Sequence, residues 1–79
     1  MNITVYSKPD CVQCDMTKRY LDRHSVSYEV VDVTQDEDAL EYVKSLGFAS
    51  VPVVKAGNNV WAGFRVERLE ELVLEKELM

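Results

Sequence analysis

Apolar and polar residues change their period several times along this chain, and each change marks an element. Asn2-Ile3-Thr4-Val5-Tyr6 alternates with period two and predicts a strand. Ser7 to Asp10, with Pro9 inside it, reads as a turn. The spacing then becomes helical: Met16, Tyr20 and Leu21 recur on one face of a helix predicted from about Val12 to Arg23. Tyr28-Glu29-Val30-Val31-Asp32-Val33 predicts a second strand, apolar enough to be largely buried. Thr34-Gln35-Asp36-Glu37 has the form of a capping box, in which the threonine hydroxyl and the glutamate side chain satisfy free backbone N–H groups. The helix it opens directs Leu40, Val43 and Leu46 inward and stops at Gly47.

Val51-Pro52-Val53-Val54 predicts a third strand, Ala56-Gly57-Asn58-Asn59 a hairpin turn, and Val60-Trp61-Ala62 a fourth strand. Beyond Gly63 a last helix carries Leu69, Leu72 and Val73 on one face. The predicted order is β-α-β-α-β-β-α, an α/β class. A βαβ half with a right-handed crossover packs against a ββα half, giving a four-stranded mixed sheet with helices on both faces. Pro52 is the irregular position. Proline is tolerated near the start of a strand, and there it signals a special backbone geometry.

Composition narrows the class. Seventy-nine residues at 47% hydrophobic predict a single domain spanning 1–79, near the size at which one core becomes marginal. A net charge of −5 and a pI near 4.7 argue against nucleic acid or an anionic membrane as partner. No run approaches membrane-spanning length, and Met1 to Tyr6 lacks the basic start of a signal peptide, so a cytoplasmic, soluble protein is expected.

Chemistry enters with Cys11-Val12-Gln13-Cys14, which holds both cysteines of the chain. A disulfide across so short a loop has little entropic leverage on stability, so reactivity explains the pair better than scaffolding. Beside a βαβ pattern, C-x-x-C reads as a dithiol redox motif. Cys11, at the helix start, is the expected nucleophile and Cys14 the resolving thiol, because a thiolate attacks a disulfide and the second thiol closes the cycle. The helix dipole contributes only ~0.3–1 kcal/mol toward the thiolate. Free amides, the Cys14 thiol and Lys8 are expected to add to it, while Asp10 and Asp15 oppose it if they point inward. A structural disulfide and a metal site are the competing readings. Structural zinc wants four ligands, and only Cys11, Cys14 and the lone His24 stand out as its partners here. His24 falls three turns from the cysteines, which favours a capping or surface role.

Three further segments carry candidate roles. If the Val51-Pro52 bond is cis, the Val51 amide and carbonyl can face outward beside Cys11 and pair with a substrate backbone; an ordinary trans proline is the alternative. Trp61 and Phe64 are candidates for an apolar docking surface or for the core. Arg65 and Arg68 are either solvated charges or hydrogen-bond back to the Trp61–Gly63 loop.

Taken together, Ile3-Thr4-Val5-Tyr6, Lys8-Pro9, Cys11-Val12-Gln13-Cys14, Thr17-Lys18, Leu46-Gly47-Phe48, Pro52-Val53-Val54, Ala56-Gly57 and Trp61-x-Gly63-Phe64-Arg65 resemble the glutaredoxin branch of the thioredoxin superfamily, and within it the NrdH-redoxins. The resemblance spans essentially the whole chain and implies a thioredoxin fold. It implies a dithiol–disulfide oxidoreductase, reduced by NADPH-dependent thioredoxin reductase and donating to class Ib ribonucleotide reductase or other protein disulfides. NADPH and FAD then belong to the reductase, no metal is expected, and the chain carries only its Cys11–Cys14 redox disulfide. By the same resemblance Pro52 is cis. Lys8, Val12, Gln13, Val51, Pro52, Trp61, Gly63, Phe64 and Arg65 form the partner-facing surface of a monomer.

Conventional glutaredoxins place an acidic or small polar residue before the last helix to hold the free amino-acid end of glutathione. Here Gly63-Phe64-Arg65-Val66 offers no carboxylate. The family's usual W-S-G-F-R-P is altered at Ala62 and Val66, Glu67 retains the acidic position, and Ser50-Val51-Pro52 is closer to the T-V-P of ordinary glutaredoxins. A glutathione-dependent glutaredoxin is therefore the second reading, and an iron–sulfur or metal module bridging two chains through the cysteines a third.

Overall fold

The computed structural model describes residues 2–78; Met1 and Met79, the ends of the expected domain, lie outside the described residues. Seven elements follow the predicted order: β1 (Ile3–Ser7), α1 (Val12–Arg23), β2 (Glu29–Asp32), α2 (Glu37–Ser45), β3 (Val53–Ala56), β4 (Asn59–Ala62) and α3 (Val66–Leu78). The sheet order is β2-β1-β3-β4. β1 and β2 run parallel, while β1–β3 and β3–β4 are antiparallel, so the sheet is mixed.

Period two along the strands builds two cores. Ile3 and Val5 of β1, Val54 and Ala56 of β3, and Trp61 of β4 pack on one face with Leu21 of α1 and Leu69, Leu72 and Val73 of α3. Val53, backed by Tyr6, Val60 and Ala62, packs on the other face with Ala39 and Val43 of α2. Helices therefore cover both faces, because successive strand side chains alternate sides.

Several local expectations are corrected. β2 is an edge strand and is not largely buried: Val30 pairs in register with Val5 yet is 48% exposed. On α1, Met16 is exposed and Tyr20 half-buried, and the buried positions are Cys14, Thr17 and Leu21. The capping box does not form as predicted. Thr34 instead directs its amide and hydroxyl to Asp32 Oδ1, at 2.8 and 2.6 Å. Such local side-chain turns compete with helix caps, and Asp36 caps α2 through Oδ1 on the Ala39 amide. Leu46 closes α2 and is exposed, with Gly47 at φ +88 just beyond it. β1 extends to Ser7, β3 begins at Val53, after Pro52, and β4 begins at Asn59.

Candidate active site

Cys11 occupies the N-cap of α1 in an extended conformation, and its Sγ accepts a hydrogen bond from the Cys14 amide at 3.1 Å. The first helical amides have no intrahelical partner, so the sulfur stands in for the usual oxygen cap. That interaction strengthens when the sulfur carries charge. The two cysteines are joined as a disulfide with Cα atoms 5.2 Å apart. Their burial is unequal: Cys11 is 8% exposed and Cys14 fully buried. An incoming sulfur therefore has access to Cys11 first.

Three chain segments meet here. The Val51–Pro52 peptide bond is cis, and the Val51 carbonyl oxygen lies 3.8 Å from Cys11 Sγ, a position where the reduced thiol can donate to it. The Pro52 carbonyl accepts from the Gly63 amide at 2.8 Å, and the next amide, Phe64, donates to Gln13 Oε1 at 3.1 Å. Gly63 sits at φ +86, where a side chain would be strained. Thr17, fully buried, donates its hydroxyl to the Gln13 carbonyl at 2.9 Å and steadies the first turn.

The remaining candidates separate into distinct surroundings. Trp61 is a core residue, 4% exposed, with the Arg68 guanidinium 5.9 Å from its ring centroid, and it presents little surface to a partner. Phe64 is half-buried against the same core. Of the two readings of Arg65 and Arg68, the structure favours exposed charges: Arg65 pairs with Glu67 at 2.6 Å and Arg68 lies 3.9 Å from Glu71, and among the described residues neither hydrogen-bonds to the Trp61–Gly63 loop. The Arg65 hydrogen bond, followed by Glu67's own amide, holds the Glu67 carboxyl below its ordinary range.

Val12 is 74% exposed beside the disulfide. Asp10 and Asp15 are both exposed, and Asp15 pairs with Lys18 at 3.6 Å. Lys8 is exposed and, with Lys44, lines an apolar groove of about 640 Å³ walled by Val33, Leu40, Val43, Phe48 and Val51. His24 is the C-cap of α1, at the opposite end from the cysteines, with its ring 4.6 Å from that of Tyr20. Among the described residues no three His, Cys, Asp or Glu side chains cluster to hold a metal, and no helix is long and apolar enough to cross a membrane.

Sequence reading gave Gln13 no specific partner and passed over the hydroxyl of Thr17. The Thr17 bond had a signal, since threonine at i+4 can reach back to a helix carbonyl. The Gln13 bond spans 51 positions and had none.

Known proteins agree with this geometry. The glutaredoxin family profile matches residues 3–61. The glutaredoxin-like protein NrdH of Escherichia coli is 39% identical over 72 residues, covering 91% of this chain and 89% of that protein. Its counterpart in Lactococcus lactis is 33% identical over 70 residues, covering 89% and 97%. The solved NrdH-redoxin structure from Escherichia coli, described as having a thioredoxin-like activity profile, superposes with a TM-score of 0.89 over 91% of this chain and 95% of that one. With its thioredoxin fold and its Cys11–Cys14 disulfide, the chain belongs to the glutaredoxin family, as a thiol–disulfide oxidoreductase of the NrdH-redoxin type.

Proposed function

We propose that this protein carries electrons in the cytoplasm from thioredoxin reductase to protein disulfides, class Ib ribonucleotide reductase foremost among them. The Cys11 thiolate attacks one sulfur of the target disulfide; that S–S bond breaks, one target thiolate leaves, and a mixed disulfide forms. The Cys14 thiolate then attacks Cys11 Sγ and releases the second target thiolate. Two electrons and two protons pass to the target, and the chain is left with the Cys11–Cys14 disulfide. NADPH restores the dithiol through the FAD of the reductase, so the chain needs no bound cofactor of its own.

The exposure difference supports this assignment of roles: Cys11 retains 8% of its surface and Cys14 none. The choice of reductase rests on one observation, the loop leading into α3: Gly63-Phe64-Arg65-Val66 offers no carboxylate to the cationic end of glutathione, and Glu67, in the first turn of α3, is already paired with Arg65. The thioredoxin-like activity profile attributed to the Escherichia coli protein is consistent with it. In this reading the target's backbone lies along Val51 and its apolar side chains meet Val12 and Phe64.

The test is NADPH consumption during reduction of a protein disulfide, run with thioredoxin reductase and separately with glutathione plus glutathione reductase. Turnover with thioredoxin reductase alone is expected. Turnover confined to the glutathione arm would replace this reading with that of a glutathione-dependent glutaredoxin.

A further inference from the structure

Gln13 stands between the two cysteines, yet its side chain reaches to a loop 51 positions away. Its Oε1 accepts from the Phe64 amide at 3.1 Å and lies 3.5 Å from where a Cβ on Gly63 would stand. The preceding amide, Gly63, is committed to the Pro52 carbonyl at 2.8 Å. Two successive amides of the β4–α3 loop are thus bound to the two other segments of the site. The Gly63 bond ties backbone to backbone. The Phe64 bond is the one that depends on a side chain, and so on residue identity.

We propose that Gln13 is a positioning residue for partner recognition: by holding the Phe64 amide it fixes the loop that presents Phe64 beside the dithiol, and so sets affinity for protein disulfides. The proposal rests on the reading of this face as the partner-facing one. Three observations converge on it. The Gln13 backbone is itself held, through the Thr17 hydroxyl on its carbonyl, so the side chain departs from a fixed point. Phe64 is half-buried, with part of its ring against the core and part available, so a shift of its backbone changes what a partner meets. Gln13 also lies on the same helical turn as the Cys14 amide that caps Cys11 Sγ, which places the loop and the reacting sulfur on one rigid unit.

Such a residue does not touch the reacting sulfurs. Losing its acceptor leaves the attack itself in place and loosens the surface against which a partner docks. The cost is one net hydrogen bond, felt mainly in binding.

The experiment is steady-state reduction of insulin disulfides, with dithiothreitol as electron source so that the result does not depend on which reductase serves the chain. Wild type is compared with Gln13→Met, similar in length but without a strong acceptor, and Gln13→Glu, which keeps an oxygen at the same reach. For Gln13→Met the expected result is a KM raised about 2- to 12-fold, the size of one net hydrogen bond, with kcat moving less than KM. Gln13→Glu should recover most of the KM, and the Phe64 amide should exchange with deuterium faster in Gln13→Met alone. A wild-type KM in Gln13→Met, a loss confined to kcat, or a Gln13→Glu variant no better than Gln13→Met would each overturn the proposal.

Discussion

The two ends of α1 are closed by similar means for opposite purposes. At the N-terminus a sulfur accepts from the Cys14 amide. At the C-terminus the Lys76 ammonium, arriving from α3, donates to the His24 and Ser25 carbonyls at 3.1 and 2.6 Å. Each end thus receives the group that suits the helix dipole, an electron-rich acceptor at the start and a cation at the finish. The difference lies in what the cap can do. Lys76 has no chemistry to perform, so that end is an anchor between α1 and α3. Cys11 changes its bonding with each turnover, so the same capping position becomes the reactive one. Helix ends are useful for catalysis where the cap is an atom that can react, and useful for stability where it cannot.

The largest expected effect separates capping from chemistry at the reactive end. Cys11→Ser should abolish disulfide reduction, because the nucleophile is gone. Cys14→Ser should instead accumulate a mixed disulfide with the target, visible as a mass adduct on a non-reducing gel. Cys11→Ser with full turnover would contradict the assignment of roles. A second comparison weighs the cap itself. Serine is a favoured N-cap and alanine is not, so Cys11→Ala should be less stable than Cys11→Ser by about 0.5–2 kcal/mol. Urea denaturation of the two variants, neither able to form the disulfide, measures that difference.

At the other end, Lys76→Met should cost about 0.5–1.5 kcal/mol at most, the net value of a hydrogen bond, discounted because the site is exposed. Its insulin-reduction rate should match that of the wild type; a fall in rate at preserved stability would mean that the two ends are coupled. The smallest effect is confined to alkaline pH. Tyr28 packs against the C-terminal half of α1, donating its hydroxyl to Asp22 Oδ1 at 2.8 Å. Burial first, and then the Asp22 bond, push its pKa from 10.0 up to about 12. The folded state therefore holds this proton more tightly than the unfolded chain. The stabilisation is complete below about pH 10, declines as pH rises through the interval to about 12, and then levels off. Tyr28→Phe should flatten that part of the stability profile, and an unchanged slope in thermal melts across it would count against the linkage.

Much of this was legible in the chain. Helix α1 from Val12 to Arg23 followed from a turn ending at Asp10 and a polar–apolar helical period, and the dithiol at its start followed from C-x-x-C spacing. The cis geometry at Pro52 was expected from the family resemblance, and the structure has it. Leu69, Leu72 and Val73 face the core as their spacing required. The misreadings share a cause. Val30 carries an apolar side chain, but burial depends on whether anything lies over it, and β2 is at the sheet edge. Thr34 and Glu37 have capping-box spacing, but Asp32 and Asp36 offered their neighbours competing local bonds.

The order of elements, the alternation that puts helices on both faces, and the reactive pair at the head of α1 could all be read along the chain. All of these depend on residues near one another in the chain, where period, turn chemistry and helix ends act locally. That Trp61 lies inside and Phe64 at the margin, that Lys76 closes the far end of α1, and that Gln13 holds the Phe64 amide emerged only in the folded chain. Those contacts join residues about fifty positions apart. The Lys76 and Gln13 contacts exist because α3 packs beside α1 on one face of the sheet, which brings the β4–α3 loop to the start of α1 and Lys76 to its end, and no local period in the sequence encodes that meeting.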